Sequence, residues 1–318
     1  MRTTRAHLRP TPPARADLLL PTGDADLLVA VEATHASFAA AVVAPLVHLP
    51  AARTALLVPR GWQPPSAYID HHRSTVHLGA RVDIEPSVVL AAGHYTEIGE
   101  AAHALAEERG VPFFVSQHGA LTPYAPPLPR AAHLLAWSEA DAEFWTTGRQ
   151  DVDVSVTGSQ LLWGVSRLAR TGAGSGGPLT YLGQGHAAEI PRARLAHAAL
   201  TTCREHDAVY RPHPSERDVT SRAVLAAYER AGITVDRSDR PLVDLDTPIV
   251  SVFSTGVLEA AAQGRDAWVD FPRPPAWLGE FWERYAMHRL GSDPTPAPAR
   301  PAVEPAQRVA DIVRAAAS

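Results

Sequence analysis

From residue 26 onward, short runs of apolar residues alternate with longer stretches whose apolar positions recur every three or four residues. The short runs at 26–31, 54–58, 87–91, 112–116, 133–137 and 152–156 predict strands. Helical spacing fills 37–47, 95–108 and 138–147 between several of them. Strands that alternate with helices of this length need βαβ crossovers, and so a parallel sheet.

The pattern stops at 171–178, Thr-Gly-Ala-Gly-Ser-Gly-Gly-Pro. Such a stretch buries no face and reads as a linker. Beyond it the alternation restarts, with strands at 179–182, 208–211, 249–253 and 267–270 and helices at 189–205, 216–231 and 255–263. A Pro-rich stretch at 293–305 precedes a last helix at 306–316. The pattern therefore predicts a disordered lead-in at 1–25, an α/β domain at 26–170, the linker at 171–178 and a second α/β domain at 179–318. Two doubly wound units of this kind face each other across a cleft.

Composition narrows the chemistry. Among 318 residues there is no lysine and no asparagine, so Schiff-base catalysis and a lysine-dependent phosphate loop are excluded. Phosphate must be met by arginine, histidine, hydroxyls or helix N-termini. A net charge of -5 argues against a general nucleic-acid binder. Cys203 is the single cysteine, which rules out an intramolecular disulfide and a cysteine-rich zinc site. Leu18 to Leu20 is too short a cluster for a signal peptide and no run approaches a membrane span, so a cytoplasmic location is expected, with peripheral membrane association still compatible. The histidines lack the spacing of a metal site. Asp244 and Asp246 resemble an Asp-x-Asp pair but run directly into a strand, so no metal is expected.

Ligands on open parallel sheets sit beyond the carboxyl ends of the strands, and several predicted strand ends carry suitable groups. The strand at 112–116 leads into His118 and Gly119, either a cleft imidazole or a turn cap. The strand at 208–211 ends in Arg211, Pro212, His213 and Pro214, where stiff backbone holds cationic and hydrogen-bonding groups; a loop fixed by a salt bridge is the alternative. The strand at 249–253 leads to Ser254 and Thr255 at a helix start, with Glu259 one turn on. Hydroxyls and free N–H groups there suit an anion, while Ser254 as a plain N-cap and Glu259 as a solvated residue remain open. Gly183, Gln184 and Gly185 follow the strand at 179–182, where glycines permit close backbone approach. In the first half, Glu32, His35, His94 and Tyr95 occupy corresponding ends, with simple turn chemistry as the alternative for each.

Together, His118-Gly119, Ala132 to Ser138, Val156 to Ser159, Arg211-Pro212-His213-Pro214, and Ser251 to Thr255 with Glu259-Ala260 form a joint pattern over about 110–272. It resembles the GT-B glycosyltransferases of the capsule and teichoic-acid type. CDP-glycerol glycerophosphotransferases use a similar His-Gly and His-Pro. Bacterial sialyl-, polysialyl- and Kdo-transferases hold the CMP phosphate with a His-Pro and a Ser/Thr motif. The chain departs from both groups: it lacks the paired-carboxylate base motif of the sialyltransferases, and the Thr-Pro after the His-Gly is displaced to Thr122-Pro123.

The resemblance implies a GT-B-like fold of two Rossmann-like domains. It implies donor phosphate on His213, Ser254 and Thr255, with His118 as base or donor contact. The expected activity is metal-independent transfer from a CMP-, CDP- or UDP-linked sugar in surface polysaccharide or glycoconjugate synthesis, with no cofactor beyond that donor and an acceptor glycan or small molecule as second substrate. Arg211, Gly183, Gln184, Gly185 and Glu259 would serve the donor; Glu32, His35 and His94 the acceptor side. The alternatives are a CDP-glycerol-type glycerophosphotransferase, a UDP-sugar 2-epimerase using Glu32, Glu97 and Glu259, and a non-catalytic binding module.

Overall fold

A computed structural model describes residues 14–33, 35–79, 82–168, 176–238 and 240–317. Its first sheet comprises β1 (Arg15–Leu20), β2 (Leu27–Ala30), β3 (Thr54–Pro59), β4 (His72–His77), β5 (Val88–Ala91), β6 (Phe113–Ser116), β7 (Ala132–Ala136) and β8 (Asp153–Val156). The spatial order is β4-β1-β3-β2-β5-β6-β7-β8, with the six from β3 to β8 parallel. Strands β2, β5 and β6 are buried along their whole length, which is why they read as unbroken apolar runs. The order reverses between β2 and β5, which opens a crevice at their carboxyl ends.

Helical segments cover the faces. They are α1 (Ala36–Phe38), α2 (Glu97–Arg109), α3 (Glu139–Trp145) and α4 (Gln160–Ser166). The last three start where the side chains of Thr96, Ser138 and Ser159 accept backbone N–H bonds. The second sheet joins β9 (Thr180–Leu182), β10 (Val209–Arg211), β11 (Ile249–Ser251) and β12 (Ala267–Val269), all parallel in the order β10-β9-β11-β12. With it go α5 (Arg192–Glu205), α6 (Val219–Arg230), α7 (Thr255–Ala262) and α8 (Ala276–Arg284). Finally α9 spans Pro305–Ala316. Two Rossmann-like sheets on either side of a cleft make this a GT-B-like α/β fold.

Several expectations need correction. The predicted lead-in contains β1, which pairs antiparallel with both β3 and β4 and buries Ala16, Leu18 and Leu19. The predicted helix 37–47 is one α turn, then a π turn at Ala39–Val43 and a 3-10 turn at Ala44–Val47. Pro45 has no N–H to give, so regular helix cannot run through it. Helix α6 begins at 219 rather than 216, because Asp218 caps it and Glu216 turns inward. Helix α8 was not foreseen. Most of the predicted linker lies outside the described residues. The last helix, assigned by pattern to the second domain, packs on the first sheet instead: Val309, Ala310 and Val313 share a core with Leu19, Val29 and Leu56.

The two halves touch through specific contacts. Helix α4 packs against α7. The Ala120 N–H donates to Thr255 Oγ1 at 3.2 Å, and the Leu121 N–H to the Tyr285 hydroxyl at 2.7 Å. Among the described residues, no helix is long and apolar enough to cross a membrane.

Candidate active site

A cleft of about 920 Å³ lies between the sheets, and the strand exits of both domains line it. On the first-domain wall, the loop after β6 carries His118. Buried Gln117 fixes that loop: its side chain accepts from the Trp137 N–H at 2.8 Å and donates to the Gly119 carbonyl at 3.0 Å. The His118 ring lies 4.1 Å from Phe38, and the Tyr95 hydroxyl stands 3.3 Å from its Nε2. Burial, then the neighbouring charge of His35, pushes His118 down to about 4, so it is a neutral imidazole at neutral pH. His35 lines the cleft too, its Nδ1 3.1 Å from Ser37 Oγ, and burial lowers its pKa.

The second-domain wall is organised by Glu216, which is 6% exposed. Its Oε1 accepts from the His213 N–H at 3.0 Å and the Gly185 N–H at 3.2 Å, while Oε2 accepts from the Tyr210 hydroxyl at 2.8 Å. One carboxylate thus ties the exit of β9 to that of β10. The tie brings His186 and His213 face to face, ring centres 3.9 Å apart and planes 18° apart. The Ser215 N–H donates to His213 Nδ1 at 3.1 Å, so the neutral ring carries its proton on Nε2. Desolvation in the cleft, then His186 and His35, pushes His213 down to about 4.

Several predicted ligand residues turn out to hold the fold. A side chain at Gly183 would meet the Tyr210 hydroxyl at 2.3 Å, so that glycine answers to packing, and the Gly185 N–H is already taken by Glu216. Gln184 Oε1 accepts from Ser251 Oγ at 3.1 Å and the Phe253 N–H at 2.9 Å, bracing β9 against β11. Arg211 borders the cleft, but its guanidinium is committed to Asp236 at 2.5 Å and to the Arg240 carbonyl. Ser254 caps α7, its Oγ accepting from the Gly256 N–H at 3.1 Å, and Thr255 Oγ1 takes the cross-domain bond from Ala120. Both still line the cleft, as does Glu259, whose carboxyl burial pushes up to about 7 against the opposing pull of Arg265.

Two acceptor-side candidates do not border the cleft. Glu32 accepts from the Ala92 N–H at 2.7 Å and from Thr96 Oγ1 at 3.0 Å, anchoring the start of α2; burial raises its carboxyl to about 7. His94 faces His103 at 5.4 Å instead. Sequence reasoning missed Tyr95 as the partner of His118, and missed His186, Glu216 and Arg217 altogether. Tyr95 was within reach, because it stands beside His94 just beyond the strand predicted at 87–91. Among the described residues, no three His, Cys, Asp or Glu side chains converge as metal ligands would.

No protein-family model matches the chain, and no curated protein matches it in sequence. Among solved structures, the UDP-GlcNAc 2-epimerase of Methanocaldococcus jannaschii is similar at 12% identity and a TM-score of 0.42, over 72% of this chain and 77% of that one.

Proposed function

We propose that the chain is a metal-independent glycosyltransferase that takes its sugar from a nucleotide-activated donor, in surface polysaccharide or glycoconjugate synthesis. The observation that carries the reading is the pairing of His118 and His213 on opposite walls of one cleft, each at a strand exit of a different sheet and each neutral near pH 7. In the reaction, His118 takes the proton of the acceptor hydroxyl as that oxygen bonds to the anomeric carbon. The bond from that carbon to the phosphate oxygen breaks, and its electron pair leaves with the nucleotide. His213 and the start of α7 stabilise the departing phosphate. A negatively charged donor nearby raises the basicity of His118.

Titration calorimetry with CMP, CDP, UMP and UDP, followed by turnover of the matching nucleotide sugars, tests this. Binding of one nucleotide family together with sugar transfer is expected; a protein that binds none of the four overturns it. A second reading, 2-epimerisation of a UDP-sugar, draws on Glu259, whose carboxyl can carry or release a proton near pH 7. Uridine-specific binding with epimerised sugar and no acceptor consumed would favour it.

A further inference from the structure

We propose that His186 and Arg217 complete, with His213, a three-pronged site for the phosphates of the donor. The inference rests on the nucleotide-donor reading above and names groups that the sequence motifs did not.

Glu216 is the reason the three come together. By holding the N–H groups of Gly185 and His213 on one oxygen, it fixes His213 and the residue after Gly185, so His186 is stacked on His213. The bond from Ser215 to His213 Nδ1 leaves an Nε2–H to donate. Arg217 follows Glu216 directly and lines the same cleft. The other cleft arginines are occupied: Arg211 by Asp236, Arg237 by Glu229 at 2.7 Å, and Arg240 by the Asp244 carbonyl at 2.5 Å. The Arg217 guanidinium makes no ion pair with any described residue, which leaves its fork available for phosphate oxygens.

The charges around the site fit an anion that brings protons with it. His186 faces Glu216, Glu189, Arg192 and His213, and His213 faces His186 and His35. The three donors on Glu216 are neutral and leave its charge in place, so Glu216 and then Glu189 are the carboxylates that a bound phosphate must outweigh. Stacked imidazoles resist joint protonation, since each positive charge disfavours the other. A phosphate touching both removes that resistance, so binding draws in protons.

Inorganic pyrophosphate and the best-binding nucleotide serve as probes, titrated calorimetrically at pH 6.5 in two buffers of different ionisation enthalpy. Wild type should bind both probes with net proton uptake. His186→Gln and Arg217→Gln should each weaken both probes by about 10-fold or more, the usual worth of a charge-assisted bond, with unchanged melting temperature. His186→Gln should also lower the proton uptake. Wild-type affinity in both variants overturns the inference while leaving the donor reading in place. Failure of wild type to bind either probe overturns both.

Discussion

The Tyr285 hydroxyl donates to Asp141 Oδ1 at 2.5 Å while accepting the Leu121 N–H, and so joins two segments of the first domain to one helix boundary of the second. Asp141 is 1% exposed, and its other oxygen accepts from Ser138 Oγ at 3.0 Å. Burial raises the Asp141 carboxyl, against the pull of the Tyr285 and Ser138 bonds. Tyr285→Phe strands a buried acceptor and a backbone donor at once. A loss of about 1–3 kcal/mol in unfolding free energy is expected, measured by urea titration. A change within about 0.5 kcal/mol would mean the contact is solvent-exchanged in practice.

Glu216 should matter to the fold and to binding together. Glu216→Ala leaves three donors without an acceptor and frees both loops, so a stability loss of at least about 2 kcal/mol is expected along with much weaker pyrophosphate binding. Glu216→Gln keeps one carbonyl for the two N–H groups and should retain more of each. Paired melting and calorimetry on the two variants checks the order; weaker binding by Gln than by Ala would contradict it.

The two proposed histidine roles separate by readout. His213→Ala should weaken nucleotide binding and slow turnover. His118→Ala should keep nucleotide binding near wild type and cut turnover by about 10²–10⁴. Equal loss of nucleotide binding in both variants would move His118 to the donor.

Stability should respond to pH in two opposed ways. His118 and His213 have folded values near 4 against an ordinary 6.5, so the unfolded chain takes up protons first; their contribution is present above 6.5 and lost as pH falls toward 4. Glu32 and Glu259 are raised from 4.5 to about 7, so their contribution is present below 4.5 and lost as pH rises through 7. Glu259→Gln removes one of the second kind. Its melting temperature relative to wild type should therefore be higher at pH 8 than at pH 5; a difference that stays constant with pH would contradict the burial of that carboxyl.

The central parallel strands were legible because burial on both faces leaves an apolar run. The two antiparallel strands beyond β3 were not. His72–His77 is mostly exposed and mixes charge, hydroxyl and valine, so no period stands out. Arg15–Leu20 hides its apolar core between arginine- and proline-rich flanks. At the candidate site, His118, His213, Ser254, Thr255 and Glu259 line the cleft as their sequence positions suggest, because position at a strand exit is a local property. Whether Arg211 is free depends on Asp236, 25 residues away, and Gln184 depends on Ser251, 67 away. Such pairings have no trace in local spacing, which is why residues that look alike in sequence divide into cleft-facing and fold-holding groups.

The return of α9 to the first sheet has a bearing on synthesis. A domain made first ordinarily folds while the rest is still being translated. Here the face formed by Leu19, Val29 and Leu56 waits for Val309, Ala310 and Val313. At about 5–20 residues per second the gap from residue 166 to residue 316 takes roughly 8–30 s. During that interval Phe38, Val42 and Leu46 cover only part of that face, so chaperone capture should be strongest for chains stalled before residue 305 and should fall once α9 has emerged.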